Sequence, residues 1–380
     1  MPVPPLGHTP AQTPVAVVFG GPSAEHDVSI VSGTAIAEAL AGAGYPVEQW
    51  YLELDGAWWR LPEGHRRADR PQAAYDDPAA LGAEGPHGAA EALDLLAGRS
   101  RPPLVFIALH GPFGEDGTVQ ALCESAGLAY TGSGVTASAI GMDKAVFKRL
   151  ARGLGLPVVD WLEVRATRWS ADPEGVLAAL DAFAGQDADA RLMVKPARLG
   201  SSLGMTLAHG AGERAAALTE AFRFDDLVLV ERYLAGARDL EIAVIGNEPD
   251  ALEVYGPGEI LSGHEFYDYE AKYTPGLSES SLTAEVTDDQ RQRLLDLARA
   301  TYVAVGCEGF ARVDFLLSER TMVVSEINTI PGFTPISLFP TLPASAGYDF
   351  AAVCSRLVDL ALAREASRIR HRPTTADLPR

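Results

Sequence analysis

Of the 31 lysines and arginines in this chain only four are lysine: Lys144, Lys148, Lys195 and Lys272. The two cations serve almost equally well on a solvated surface. A lysine kept in so arginine-rich a sequence is therefore a candidate for a position that needs a compact ammonium on a flexible stem, of which phosphate contact is one, the alternative being a bias of nucleotide composition. Three of the four lie in unusual local sequence, GMDK, MVKP and FYDYEAKY, while Lys148 reads as a solvated bystander one helical turn after Lys144. Cysteine is scarce as well. Cys123, Cys307 and Cys354 are too far apart for a zinc pattern or a disulfide framework, and read as small buried thiols of a reducing compartment. No apolar run reaches the roughly 18 residues that span a bilayer. The opening MPVPPLGHTPAQTP lacks a basic segment followed by an apolar one, so a floppy lead-in is expected and not a signal peptide, with the protein in the cytoplasm and no membrane insertion. Positive charge is short overall. A net charge of −20 argues against nucleic acid as a partner, and admits an anionic small ligand only where cations are gathered locally.

What is present is a globular composition, 47% hydrophobic over 380 residues, enough for two or three domains. Val15–Phe19 is an apolar run stopped by Gly20-Gly21-Pro22, as a buried parallel strand stops in a turn. Ser29 to Leu40 has helical spacing, Pro46–Leu54 and Pro103–His110 read as strands, and HGPFGEDG leads into a helix to Ser125. This alternation predicts an α/β layer. Residues 62–100, rich in Ala, Gly, Pro and charge, read as a weakly structured surface excursion. After a helix over Ala145 to Leu154 the chain changes character. PVVDWLEV, RLMVKP, GMTLA, DLVLVERYL, DLEIAVIG and ALEVYG are strand-like, with helices near 173–184 and 212–223, so an α+β region is predicted. Residues 262–282 show no period and read as a long functional loop. Thr287 and Gln290 form a capping box for a helix to about Val305, with Leu294, Ala298 and Tyr302 inward. FARVDFLL and TMVVSEINTI are two strands across a short turn, and a last helix runs from about Asp349 to Ala363.

Several segments carry chemistry. Arg312 and Asp314 share one face of their strand, as Glu326 and Asn328 share one of theirs. In a hairpin they are either a polar outer face or a set of hard oxygen ligands for Mg²⁺ beside a guanidinium, depending on register. VKPARLGSSLGM is either a flexible hairpin loop or a lysine and backbone N–H groups offered to a polyphosphate. Its lysine precedes the glycines, unlike the usual phosphate loop. Within it, Gly200-Ser201-Ser202-Leu203-Gly204 also matches the nucleophile elbow of serine hydrolases, which requires a helix next, where the sequence here is strand-like. Glu25 either caps the first helix or holds a substrate ammonium. His110 and Glu115 sit at a strand end, where open α/β sheets place ligands. FYDYEAKYTPG reads as a lid, or else as a partner-binding loop.

Taken in order, GGPSAEHDVS, FIALHGPFGEDG, GMDK, VKP with GSSLGM, VERYL, FYDYEAKY, ARVDF and EINTIPGFTPIS resemble the D-alanine–D-alanine ligase family, ATP-grasp enzymes of peptidoglycan precursor synthesis, from about Val15 to Leu360. The resemblance implies an ATP-grasp fold with an N-terminal Rossmann-like (pre-ATP-grasp) α/β domain. Its parts would be a flexible extension over 1–14, an α/β domain over 15–140, and ATP-grasp subdomains over 141–250 and 251–380, the last with a lid loop at 262–282. It implies that Asp314, Glu326 and Asn328 bind two Mg²⁺ ions, with Mn²⁺ as a substitute. Lys144 and Lys195 would contact ATP phosphates and Lys272 the γ-phosphate. Glu231, Arg232, Tyr233 and Leu234 would form the adenine-side edge, with a ribose contact at Asp239 or Glu241. Glu25 would hold the first D-alanine's ammonium near His110 and Glu115, networked with Ser201 and Tyr273. Arg312 and the Gly332 N–H would stabilise an oxyanion, and Ser337 would hold the second substrate's carboxylate. The implied reaction joins two D-alanines through an acyl phosphate, in a homodimer, with Tyr273 favouring a dipeptide over a depsipeptide product. The alternatives are another ATP-grasp carboxylate–amine ligase, such as a D-alanine–D-lactate ligase, a non-catalytic nucleotide-binding module, and, most remotely, a serine hydrolase.

Overall fold

Six residues without polar alternation do not sit at a surface, and Val15–Gly20 (β1) is buried along its whole length. The structure, a computed structural model, describes residues 4–67, 71–262 and 278–371. In it β1 lies between two parallel neighbours, Val47–Leu52 (β2) and Leu104–Ile107 (β5). Trp58–Arg60 (β3) and Glu84–His87 (β4) extend the sheet antiparallel, giving the order β4-β3-β2-β1-β5. The helix His26–Gly42 packs onto β1 at Gly33, where a Cβ would come 2.3 Å from that of Phe19. Only glycine lets the helix sit that close, and Glu25 at its N-terminus is placed accordingly.

Two expectations fail here. Residues 62–100 hold β4, a helix over Ala89–Ala97 and a turn over Gln72–Asp76 that buries Tyr75 against Phe19 and Tyr51. Each element is short, no residue of β4 is fully buried and the turn buries Tyr75 alone, so composition masked them. The lead-in is also fastened. Gly7 N–H donates to Asp359 at 2.8 Å, and the His8 ring lies 2.8 Å from the Tyr45 hydroxyl and 3.3 Å from Asp359.

The second sheet, ordered β6-β9-β7-β8, comprises Trp161–Arg165 (β6), Leu192–Pro196 (β7), Thr206–Ala208 (β8) and Leu227–Arg232 (β9). The helices Pro173–Phe183 and Arg214–Ala221 supply Val176, Leu180, Ala217 and Leu218 to its core. The third, ordered β12-β11-β10-β13-β14, is antiparallel throughout: Arg238–Ile245 (β10), Glu253–Ser262 (β11), Ser278–Ser281 (β12), Phe310–Leu317 (β13) and Met322–Asn328 (β14). β10 precedes the expected division at 250/251, yet it pairs along its length with β11 and β13. The expected loop 262–282 is strand at both ends, since β11 runs to Ser262 and Ser278–Ser281 pairs with it. The capping box of Thr287 and Gln290 is present and starts the helix Asp288–Val305, which buries Leu294, Ala298 and Tyr302 against this sheet.

The last helix, Phe350–His371, continues beyond the expected Ala363 and returns to the first sheet. Val353, Leu357 and Val358 share a core with Ile36, Leu40 and Phe106. The three cysteines are buried free thiols. Among the described residues no helix is long and apolar enough to cross a membrane.

The Gly33 contact yields a test. Gly33→Ala forces the first helix off β1 and is expected to lower stability by about 1–3 kcal/mol, the usual penalty of overpacking. Urea denaturation measures it, and an unshifted midpoint would mean that helix and strand are not locked together.

Candidate active site

In the β13–β14 hairpin Arg312 stands opposite Asn328 and Asp314 opposite Glu326. Val313, Phe315, Val324 and Ile327 point the other way, into the core. Burial of that apolar face turns all four polar side chains onto the other. The Arg312 guanidinium forks onto both oxygens of Asp314 at 2.7 Å and lies 3.4 Å from Glu241, while the Asn328 amide donates to Asp314 at 2.9 Å. Burial alone would pull the Arg312 pKa down, but Asp314 and Glu241 outweigh it and hold the guanidinium well above its ordinary value.

This face stands where two cavities meet. A cleft of about 530 Å³ and a smaller one of about 150 Å³ share Lys144, Glu241, Ile260, Arg312 and Glu326 as walls. The larger brings together Glu25, His110, Glu115, Ser201, Asn328, Gly332 and Ser337, and the smaller Lys195, Glu231, Arg232, Tyr233, Leu234, Asp239 and Asp314. Lys272 and Tyr273 lie outside the described residues.

In the larger cleft, Glu25 occupies the N-cap position of its helix without its side chain capping it. Its Oε1 instead accepts a 2.5 Å hydrogen bond from Ser201 Oγ. Ser201 and Ser202 have φ of 52° and 56°, a conformation that two successive non-glycine residues keep only when their surroundings impose it. A strand, β8, follows them, so the helix that a nucleophile elbow needs is not the next element. His110 is buried with Nδ1 3.1 Å from the Ile330 carbonyl and Nε2 3.0 Å from Ser32 Oγ. A carbonyl can only accept, so Nδ1 carries the proton and Nε2 receives the serine hydroxyl. Burial lowers the His110 pKa, which keeps this neutral form. Glu115 accepts from the Gly111 N–H at 2.9 Å, and burial, then the charge of Glu25, raise its pKa well above the ordinary carboxylate value. Ser337 Oγ accepts from the Thr334 N–H at 3.1 Å and lies 2.8 Å from the Thr334 hydroxyl.

The smaller cavity is built around lysines. Asp143 caps the helix Lys144–Gly153 through the N–H groups of Ala145 and Val146, which sets Lys144 in its first turn. From there the Lys144 ammonium donates to the Leu199 carbonyl at 2.7 Å and lies 3.2 Å from Glu326. Lys195 ends at Glu231 Oε2, 2.9 Å away. Asp239 and Glu241 share a face of β10. Asp239 lines only the smaller cavity, whereas Glu241 sits at the junction beside Arg312. The Arg232 guanidinium lies over the Phe183 ring at 4.8 Å.

Lys148 is a correction. It is no solvated bystander: it is 1% exposed, with its ammonium 2.8 Å from Glu231 Oε1. The spacing of four from Lys144 puts both on one helix face, and the scarcity of lysine was the signal for it. Thr334 behind Ser337 was also missed, and little in the sequence could have singled it out.

Both halves of the chain match family models. Residues 14–133 match that of the D-ala D-ala ligase N-terminus and residues 150–359 that of the C-terminus. The chain is 40% identical over 373 residues to the D-alanine–D-alanine ligase of Kineococcus radiotolerans, covering 92% of this chain and 96% of that one. It is 38% identical over 365 residues to that of Chlorobaculum tepidum, covering 92% and 96%. Among solved structures it superposes on the D-alanine–D-alanine ligase of Coxiella burnetii with a TM-score of 0.77 at 28% identity, covering 95% and 97% of the two chains. The VanG D-Ala:D-Ser ligase of Enterococcus faecalis gives 0.77 at 29% identity, covering 92% and 99%. The two family models together span most of the residues that line both cavities and the whole β13–β14 hairpin, and the chain belongs to the D-alanine–D-alanine ligase family, with its ATP-grasp fold and N-terminal domain.

Proposed function

We propose that this chain joins two D-alanines into D-alanyl-D-alanine, with conversion of ATP to ADP and phosphate, as a step of peptidoglycan precursor synthesis. The observation that carries the reading is the polar face of the β13–β14 hairpin at the junction of a lysine-lined cavity and a cleft holding Glu25, His110 and Ser337. Phosphoryl transfer needs the two substrates to meet at a place where negative charge is neutralised.

The donors on that face are hard oxygens. Among the described residues no three His, Cys, Asp or Glu gather as a metal site, but two opposed carboxylates and an amide suit an ion that completes its shell with phosphate oxygens and water. Asp314 accepts the Arg312 fork, and Glu326 lies 3.2 Å from the Lys144 ammonium. Asp314, Glu326 and Asn328 would thus hold the divalent metal, as two Mg²⁺ ions with Mn²⁺ as a substitute. Bound there, the metal neutralises charge on phosphate oxygens.

The chain's own groups do the rest. Lys144 and Lys195 hold the phosphates, Glu231 to Leu234 line the base, and Asp239 meets the ribose. Glu25, pinned by Ser201, holds the ammonium of the first D-alanine, with neutral His110 and Glu115 beside it. The carboxylate of that D-alanine takes the γ-phosphoryl group and becomes an acyl phosphate. Ser337, steadied by Thr334, holds the carboxylate of the second D-alanine while its amine attacks the acyl carbon. Arg312 and the Gly332 N–H donate to the oxyanion that forms, each worth about 10²–10³ in rate. Phosphate then leaves. Access to ATP supports a cytoplasmic location, and family membership supports a homodimer.

Phosphate release from Mg-ATP tests the reading. It is expected with D-alanine and not with L-alanine or D-lactate alone, and ATP turnover that ignores D-alanine would overturn it. Lys195→Arg is expected to cut kcat/KM for ATP by about tenfold or more, because a planar fork does not replace a point charge. A wild-type value would remove Lys195 from phosphate binding. Glu115 supplies a pH test. A carboxyl whose folded pKa is raised contributes stability that is full below its unfolded pKa and is lost as pH rises through the folded one. Glu115→Gln keeps the neutral form, so it is expected to melt above the wild type at neutral pH, with the gap closing as pH falls into the ordinary carboxylate range. A gap independent of pH would show that Glu115 does not titrate as its burial requires.

A further inference from the structure

Two ammonium groups converge on one buried carboxylate. Lys148 and Lys195 lie 2.8 and 2.9 Å from the two oxygens of Glu231, and the three residues are 1%, 5% and 4% exposed. Burial would raise the Glu231 pKa, but Lys195 and Lys148 together hold it below the ordinary range. The two lysines differ in where they stand. Lys195 and Glu231 line the smaller cavity, whereas Lys148 is not among the described residues that do. The other contacts of Lys148, the Val159 carbonyl at 3.3 Å and the Trp161 ring at 5.4 Å, are with residues that do not line that cavity either.

A single carboxylate needs one cation for neutrality and the trio offers it two, in a place poor in water where burial lowers the Lys148 pKa against the pull of Glu231. If Lys195 were the sole partner of Glu231, moving it toward a ligand phosphate would strand a buried carboxylate, and breaking a buried pair in that way is strongly unfavourable. With Lys148 behind Glu231, the carboxylate stays paired when Lys195 leaves. We propose that Lys148 is a positioning residue for the nucleotide: it holds Glu231 from behind, and so frees the Lys195 ammonium to exchange that carboxylate for a phosphate oxygen. This rests on the reading that the smaller cavity takes ATP.

The test is Lys148→Met, which keeps the stem and removes the charge, alone and in a Glu231→Gln background. Affinity is read by isothermal titration with Mg-ATP without D-alanine, so it stands apart from ligation, and KM values and melting temperature are read alongside. Lys148→Met is expected to weaken ATP binding and raise the ATP KM by about tenfold, while the D-alanine KM stays within about twofold, the split that separates positioning from general damage. In the Glu231→Gln background, where Lys195 has no carboxylate to leave, the same change should alter ATP affinity by less than about twofold, the signature of coupled residues. If Lys148→Met does not fold, the comparison of Glu231→Gln with the double variant decides alone. Two results overturn the proposal: a lowered melting temperature with unchanged ATP affinity, which makes the trio structural only, or an equal loss in both backgrounds, which means that Lys148 does not act through Glu231. A wild-type chain that binds ATP but releases no phosphate with D-alanine would sink the ligase reading, and the affinity comparison would still judge Lys148.

Discussion

A slip of one residue by β14 against β13, which β10 holds on its other edge, would turn Glu326 and Asn328 into the core and take Val324 and Ile327 out of it. The register is held by the burial of those apolar residues against the helix Asp288–Val305 and by the short turn from Ser318 to Thr321. Both cavities use this face as a shared wall, so the two carboxylates, the amide and the guanidinium at their junction are all consequences of one strand pairing. The irregularity after Asp314 sharpens the effect: pairing steps from Asp314–Glu326 to Phe315–Val324, which leaves Ser325 as the extra residue and re-aims the strand beside the site. The bulge thus bends the chain next to the point where Asp314 and Glu326 stand side by side.

Electrostatics builds on that geometry. A chain of net charge −20 repels a polyphosphate at long range, and at physiological salt that repulsion is screened within about 8 Å. Close contact is therefore decided by desolvated groups inside the cavity. Lys144, Lys148 and Lys195 are all buried, and each is matched to a carboxylate, Glu326 or Glu231, that keeps the ammonium in place before any ligand arrives. A surface lysine could not deliver its charge so specifically, because water would share it.

What could be read from sequence followed the sign of burial. β13 was legible to the residue, since FARVDFLL alternates apolar and polar along one half-buried strand, and the Thr287–Gln290 box was legible because capping depends on adjacent side chains alone. Lys148 was misread for the opposite reason: its partner, Glu231, lies far away in sequence, and nothing local distinguishes a solvated lysine from one paired across a cavity wall. Tyr75 and the Gly7–Asp359 tie escaped for the same cause. That the Glu25 side chain bonds Ser201 and does not cap its helix also waited on a long-range contact.

That bond links the two halves of the site more tightly than the shared walls do. Ser201 follows the strand that carries Lys195, and Glu25 precedes the helix that packs on β1, so 176 residues separate the partners. The left-handed conformation of Ser201 and Ser202 costs on the order of 1–3 kcal/mol each when nothing supports it. A charge-assisted hydrogen bond to Glu25 is of comparable size, and Gly200 leaves room for it, since a Cβ there would come 2.8 Å from the carboxylate. The loop after Lys195 is thus held in its strained form by the group proposed to bind the first substrate's ammonium. On that proposal an ammonium at Glu25 would meet the same carboxylate that steadies this loop, so the larger cleft and the loop that follows Lys195 share one group.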